Sequence, residues 1–148
     1  MKKPLRLFVD ASVWIAAAGS KTGGSAMVLE LCRRGKAEAV SSRLVLLEAE
    51  RNIGTKLPRS ASLRFYQEIA SMDIKLVEAP TEREISAQER IIDSKDAHVL
   101  AAAVKGNVDF LLTLDRKHFM APKVLGAGLT FQIMTPGDFL RHWLQQLL

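Results

Sequence analysis

The run Phe110-Leu111-Leu112-Thr113-Leu114 constrains the fold more than any other segment, because it is apolar at every position except Thr113. Such a run without polar alternation is typical of a strand that is covered on both faces, as in a parallel sheet. The segment Leu5 to Val9 predicts a second strand. Shorter strand candidates are Ala37 to Val40, Ile74 to Val77 and Leu129 to Ile133.

Helical patterns separate these strand candidates along the chain. They cover Ser25 to Arg34, Arg43 to Lys56, Ser60 to Met72, Thr81 to Ile92, Asp96 to Lys105 and Phe139 to Leu148. Strands that alternate with helices predict βαβ units. We therefore predict a three-layer α/β/α fold with a mostly parallel central sheet. No repeat or long linker divides the 148 residues, which indicates one domain over residues 1–148.

The opening of the chain resembles a secretory signal, with Lys2 and Lys3 before the apolar segment Leu5 to Val9. Arg6 and Asp10 interrupt the apolar region that such a signal needs, and no stretch approaches the ~18 apolar residues of a membrane span. Cys32 is the single cysteine, which excludes an intrachain disulfide. We expect a cytoplasmic protein with no membrane association.

Three acidic residues are predicted to share one edge of the sheet. Asp10 follows the first strand directly, and Asp115 follows the strand that ends at Leu114. Asp96 begins the helix that leads into the strand ending at Leu114. Because a helix that precedes a parallel strand starts near the carboxyl edge of the sheet, we expect Asp96 to share that edge. Open parallel sheets bind their ligands at this edge.

Glu48 is a fourth candidate and lies within a predicted helix. Leu44, Leu47, Glu48 and Arg51 have the spacing of one helical face, so Glu48 is predicted to interrupt or border the stripe that faces the core. A carboxylate in that position needs a cation.

Each acid also has an ordinary structural interpretation. Asp10 or Ser12 could cap a helix through Val13 to Ala18, Asp93 or Ser94 could cap the helix that contains Asp96, Asp115 could cap the turn Arg116-Lys117-His118, and Glu48 could pair with Arg43 or Arg51. Together, however, the acids would repel one another by about 4 kcal/mol per pair at about 4 Å and a dielectric of 20. Shared protons or bound divalent ions relieve such repulsion, and oxygen ligands select Mg²⁺ or Mn²⁺.

These motifs resemble the PIN domain of small bacterial and archaeal ribonucleases. The resemblance rests on Val9-Asp10-Ala11-Ser12, the helical Glu48, the segment Asp93 to Ala103, and Leu111-Leu112-Thr113-Leu114-Asp115, and it extends to the segment Thr135 to Leu140. It implies a metal-dependent endoribonuclease, most often a VapC-type toxin of a toxin–antitoxin pair. The implied partners are an RNA substrate, an antitoxin protein that masks the site, and a second copy of the chain in a homodimer.

The resemblance also assigns roles to individual residues. Asp10, Glu48, Asp96 and Asp115 match the four family acids, which implies that they ligate the metal and carry catalysis. Ser12 and Thr113 match hydroxyl residues beside the first and last acids, and we expect them to orient carboxylates. Some relatives have a further acid just after the last one, where this sequence has Arg116, Lys117 and His118.

The basic residues are the candidates for RNA contact. The chain has 21 Lys and Arg against 16 Asp and Glu, a formal net charge of +5, which favours a polyanionic partner. Lys95, Arg116 and Lys117 come from segments near the predicted site and could hold phosphates. His118 could orient a phosphate or a leaving group, but its interpretation as a surface turn residue is favoured.

Three other functions remain open from the sequence. The same catalytic domain could process RNA instead of acting as a toxin, or it could be a non-catalytic module that binds metal or RNA. A phosphotransfer receiver domain also gathers acids at strand ends, but Asp10-Ala11-Ser12 lacks the adjacent pair of acids that such a domain uses.

Overall fold

The computed structural model of the protein describes residues 3–148, so Lys2 of the signal-like opening lies outside the described residues. The strands are β1 (Leu5–Val9), β2 (Ala37–Ser42), β3 (Lys75–Val77), β4 (Phe110–Leu112) and β5 (Gln132–Met134). The helices are α1 (Ala11–Gly19), α2 (Gly24–Arg33), α3 (Arg43–Lys56), α4 (Arg59–Ser71), α5 (Glu82–Gln88), α6 (Ser94–Lys105), α7 (Arg116–Phe119), α8 (Pro122–Leu125) and α9 (Pro136–Leu147).

The five strands form one sheet in the order β3-β2-β1-β4-β5, and every neighbouring pair is parallel. Successive residues of a strand point to opposite faces. Leu7, Phe8 and Val9 are all fully buried, so helices cover both faces of the sheet. The predicted α/β/α architecture is confirmed, and the sheet is more uniformly parallel than the sequence required.

The strand order reverses at the centre of the sheet. From β1 the chain crosses to β2 on one side, whereas β4 pairs with the other side of β1. The carboxyl ends of β1 and β4 therefore border the crevice where open α/β sheets bind ligands. Asp10 and Asp115 follow these two strands closely.

Strand β4 ends at Leu112, two residues before the predicted end at Leu114. Two hydroxyl groups account for the difference. The backbone N–H of Leu114 donates to Ser12 Oγ at 3.0 Å, and that of Asp115 donates to Thr113 Oγ1 at 3.1 Å. The chain leaves the sheet because side chains replace the neighbouring strand as hydrogen-bond partners.

The predicted orientation of α3 is wrong. Leu44 and Leu47 are about half exposed, and the buried face consists of Val45, Ala49 and Ile53. These three residues follow a spacing of four, which the larger leucine side chains obscured in the sequence. Glu48 lies beside this buried face and is partly exposed.

Helix α1 is longer than the segment Val13 to Ala18 that was considered as one alternative, and it packs against α2, α3 and α4. Its Trp14 is buried and donates from Nε1 to the carbonyl of Val9 at 3.1 Å, which ties the helix to the end of β1. Within residues 3–148, every helix is too short or too polar to cross a bilayer.

Candidate active site

Asp10 is a buried carboxylate at the carboxyl end of β1, with only 6% of its surface exposed. It occupies the N-cap position of α1, but its side chain makes no capping hydrogen bond. Burial raises the pKa of Asp10, the hydrogen bonds from Thr113 and Ser12 oppose this shift, and the charge of Asp115 adds to it. The capping interpretation therefore does not explain why this acid is buried.

Two hydroxyl groups hold Asp10 in place. Thr113 Oγ1 donates to Asp10 Oδ2 at 2.7 Å, and Ser12 Oγ donates to the same oxygen at 3.0 Å. Because both hydroxyls also accept the backbone N–H groups that end β4, they connect Asp10 to the segment that carries Asp115. No side chain within residues 3–148 donates to the other oxygen of Asp10, Oδ1, and the backbone of Ala11 gives the carboxylate a further hydrogen bond.

Asp115 and His118 form a compact pair at the start of α7. Asp115 Oδ1 caps the helix by accepting the backbone N–H of His118 at 3.1 Å, and His118 Nδ1 lies 2.8 Å from Asp115 Oδ2. Burial alone would raise the pKa of Asp115, but the hydrogen bonds from His118, with its charge and that of Lys95, outweigh burial and lower it. Asp115 is thus both a cap and a carboxylate that is held in its charged form.

Asp96 lies in the first turn of α6 and has an oxygen without a partner. Its Oδ2 is buried and makes no hydrogen bond to residues 3–148. Burial raises the pKa of Asp96, Lys95 and His118 oppose this shift, and Asp115 and Asp10 add to it. The negative charges of Asp10 and Asp115 therefore contribute to the raised pKa of Asp96 in the folded protein.

This donor set fits a divalent cation. A buried carboxylate oxygen without a partner costs free energy, and a cation bound there would remove that cost. Among residues 3–148, the ligand atoms that lie within 4.8 Å of one another belong to Asp93, Asp96 and His118, a set that shares only Asp96 with the predicted acids. Asp93 appeared in the sequence only as a possible cap, and its side chain makes no capping hydrogen bond.

Glu48 has the fewest contacts of the four predicted acids. It lies on α3, which packs against α1, and its carboxylate makes no hydrogen bond or ion pair with residues 3–148. The predicted pairing with Arg43 or Arg51 does not occur. The structure therefore joins Asp10, Asp96 and Asp115 electrostatically and leaves Glu48 as an unpaired acid on the neighbouring helix.

The three predicted RNA-contacting residues belong to the segments that carry Asp96 and Asp115. Lys95 is exposed beside Asp96, and its positive charge opposes the raised pKa of Asp96 and contributes to the lowered pKa of Asp115. Arg116 and Lys117 are exposed in α7, and Arg116 Nη2 lies 3.9 Å from Asp138 Oδ2. The acids thus lie beside positive charge, which suits an anionic ligand.

A family model for the PIN domain matches residues 6–117, about three quarters of the chain. The matched range includes all four candidate acids, and the match confirms the resemblance inferred from the sequence motifs. Comparison with curated protein sequences finds no significant match.

Solved structures share the fold at low sequence identity. PAE2754 from Pyrobaculum aerophilum is 22% identical with a TM-score of 0.62, over 93% of this chain and 94% of that one. VapBC2 from Rickettsia felis, bound to a DNA fragment from its promoter, is 14% identical with a TM-score of 0.60, over 88% of this chain and 98% of that one. The Sarcin-Ricin loop cleaving toxin VapC20 from Mycobacterium tuberculosis is 18% identical with a TM-score of 0.56, over 83% of this chain and 95% of that one.

Proposed function

The chain belongs to the PIN-domain family, and on that premise we propose that it is a metal-dependent endoribonuclease that hydrolyses RNA phosphodiester bonds. We treat residues 1–148 as one nuclease domain. The observation that carries the proposal is the buried, unpartnered Oδ2 of Asp96, in a group of acids that includes Asp10 and Asp115. A protein without a ligand for this oxygen would gain nothing from burying it.

Asp10, Asp96 and Asp115 would hold Mg²⁺ or Mn²⁺, the hard cations that carboxylate oxygens favour. When bound, the cation supplies positive charge to the reacting phosphate and acidity to the attacking water. Ser12 and Thr113 fix the orientation of Asp10 by donating to its Oδ2. His118 fixes Asp115 and keeps it charged, ready to accept a cation.

Lys95, Arg116 and Lys117 would attract the RNA backbone to the acids. All three are exposed and lie within one residue of Asp96 or two residues of Asp115 in the sequence. Glu48 is proposed as the fourth acid because it matches the family pattern and because its carboxylate has no protein partner within residues 3–148.

We further propose that the protein is the toxin of a toxin–antitoxin pair. This proposal is supported by family membership and by the shared fold with VapBC2 and with VapC20, which is a toxin by its own description. It implies a cytoplasmic protein, a cognate antitoxin and a homodimer. An RNA-processing nuclease and a non-catalytic binding module are the alternatives.

The test is cleavage of labelled single-stranded RNA by purified protein in EDTA, Mg²⁺ or Mn²⁺. Asp10→Asn and Asp96→Asn should abolish cleavage while the proteins remain folded, and Glu48→Gln should reduce it. Asp73→Asn is the matched control, because Asp73 is exposed and forms an ion pair with Lys75. Cutting that persists in EDTA, or in both active-site variants, would contradict the mechanism.

Two further results separate the alternatives. Metal binding without cleavage of any RNA would favour the binding module. Suppression of cleavage by the co-expressed product of a small neighbouring gene would favour the toxin, and cleavage that no such product suppresses would favour RNA processing.

A further inference from the structure

A groove of about 430 Å³ lies between the N-terminal ends of α2 and α9. We call it the α2–α9 groove and define it by Ser20, Gly23, Ser25, Arg116, Gly137 and Arg141. Leu114 also lines it, so residues on both sides of Asp115 reach the groove. The groove is therefore continuous with the segment that carries one of the proposed metal ligands.

The two helices that meet in the groove differ in how they begin. Helix α9 is capped by Thr135, whose hydroxyl accepts the backbone N–H of Asp138 at 3.1 Å. Helix α2 begins after Gly23, which has no side chain to cap it, and its first turn contains no acidic residue. The first amides of a helix have no partner within the helix and attract anions. Among the residues that the structure describes, no side chain caps α2, so its first amides face the groove without a side-chain partner.

Ser25 provides an independent indication of a ligand. It lines the groove and is only 5% exposed, yet its hydroxyl makes no hydrogen bond to residues 3–148. Within residues 3–148, the fully enclosed side-chain atoms without a partner do not include Ser25 Oγ, so this oxygen is open to the groove and takes its hydrogen-bond partner from there. A hydrogen-bond acceptor from outside the protein would satisfy Ser25 and the α2 amides together.

The charges at the groove select an anion. Arg116 and Arg141 line it, and Asp138 offsets part of their charge through an ion pair of 2.8 Å with Arg141 and a longer contact of 3.9 Å with Arg116. Both arginines are more than two thirds exposed, so they remain open to a second anionic partner. Two cations, one acid and free amides favour a phosphate group.

We propose that the α2–α9 groove binds a backbone phosphate of the RNA substrate, next to the phosphodiester that is cut. This inference rests on the proposed ribonuclease function. The amides at the start of α2 and the hydroxyl of Ser25 donate to the phosphate oxygens, and Arg116 and Arg141 supply positive charge. The groove thereby sets the direction in which a single strand leaves the acids.

Gly23→Asp is the decisive variant. Its backbone conformation suits any residue, and an added Cβ would lie 3.8 Å from Ser20 Oγ, an ordinary contact. The aspartate would cap α2 and place a negative charge where the phosphate binds. We expect binding of a short labelled single-stranded RNA, measured in EDTA, to weaken by roughly three- to tenfold. A plot of the logarithm of the RNA association constant against the logarithm of the salt concentration should become less steep by about 0.7.

Two further variants complete the design. Ser25→Ala removes a hydroxyl that has no protein partner, so RNA binding should weaken by about two- to fivefold without a loss of thermal stability. Gly54→Asp adds the same charge as Gly23→Asp at an exposed position of α3 with open space for the side chain, and should bind RNA like the wild type. Gly23→Asp should melt at or above the wild-type temperature, because a cap stabilises α2.

Wild-type RNA binding and cleavage by both Gly23→Asp and Ser25→Ala would overturn the proposal while the ribonuclease stands. Failure of the wild type itself to bind or cut RNA would instead overturn the ribonuclease on which the proposal rests. If Gly23→Asp bound RNA normally but no longer retained a co-expressed protein partner, the groove would be a peptide site, and its assignment to RNA would be wrong.

Discussion

Thr113 connects two of the candidate metal ligands through one hydroxyl group. The residue is fully buried, donates to Asp10 and accepts the backbone N–H of Asp115. Thr113→Val keeps the shape of the side chain and removes both hydrogen bonds. We expect a roughly tenfold loss of Mn²⁺ affinity, because Asp10 and Asp115 are no longer fixed relative to each other.

Calorimetric titration with Mn²⁺ measures this effect, and Thr130→Val is the matched control because Thr130 is exposed. Unfolding in denaturant should show a cost of about 1–3 kcal/mol for Thr113→Val, since the variant leaves buried polar groups without partners. Unchanged metal affinity in a folded Thr113→Val protein would show that the hydroxyl does not position the site.

Asp10 should destabilise the protein when no metal is bound. Its pKa is raised in the folded state, so folding favours the protonated acid. The contribution of protonated Asp10 to the free energy of unfolding is fully present below the ordinary pKa of 3.8. It is lost as pH rises through the raised pKa of the folded state. Asn resembles the protonated acid. Asp10→Asn should therefore melt at a higher temperature than the wild type in EDTA at neutral pH, and this difference should shrink below about pH 4.

Melting curves over a pH series in EDTA test this expectation. Asp73→Asn is the control, because that exposed acid should show no comparable gain. If the Asp10→Asn protein is less stable than the wild type at neutral pH, the hydrogen bonds that the Asp10 carboxylate accepts from Ser12 and Thr113 outweigh the cost of burying its charge.

At the scale of elements, the short helix α7 determines how Asp115 is presented. Its single turn returns His118 to the acid that begins the helix, with Nδ1 at 2.8 Å from Asp115 Oδ2. His118→Ala should lower Mn²⁺ affinity by about tenfold without unfolding the protein, because His118 is partly exposed. Lys117→Ala is the neighbouring control and should leave metal affinity unchanged. Equal affinity in both variants would remove His118 from the site.

The elements also explain what the sequence could and could not predict. The acids at the ends of β1 and β4 were predictable because strand ends are local signals, and parallel pairing brings them to one edge. The sequence indicates only a surface turn residue for His118 and a helix cap for Asp93, because the approach of His118 Nε2 to Asp93 Oδ2 at 3.7 Å joins residues far apart in the chain. The spacing of Asp115 and His118, a cap and the third residue after it, was the one available signal.

Errors in the predicted bounds have the same origin. Strand β4 is shorter than its apolar run because hydroxyls of Ser12 and Thr113 take the next backbone N–H groups. The buried face of α3 is predicted from the helical spacing of Leu44 and Leu47, whereas the close packing of α1 and α3 favours the small Ala49 between Val45 and Ile53. Apolar spacing in a helix does not by itself identify the face that is buried.

For the whole molecule, the fold class followed from the alternation of apolar strands and helices, but the strand order did not. The order β3-β2-β1-β4-β5 depends on which distant segments pair, and no local pattern encodes that choice. The charge balance was informative in the same coarse way. A net charge of +5 predicts an anionic partner, while the uncapped start of α2 and the unpartnered Ser25 become visible only in the folded chain.

If the acids hold a divalent cation as proposed, the stability of the whole molecule should depend on that cation, because the cation offsets the repulsion among them. A ligand that binds only the folded state stabilises it by about 2.7 kcal/mol at a concentration of 100 times its Kd. For a chain of 148 residues, this corresponds to a rise in melting temperature of roughly 5–10 °C. Mg²⁺ or Mn²⁺ should produce this rise in the wild type and in Asp73→Asn, and EDTA should reverse it.

Asp96→Asn should lose the rise, because its amide cannot supply the charged oxygen that the cation needs. A melting temperature that is independent of both metals at every concentration, in a wild-type protein that still cuts RNA, would mean that the acids catalyse the reaction without a resident cation. In that case the buried oxygen of Asp96 would be occupied by a shared proton, the other way in which such a cluster relieves its repulsion.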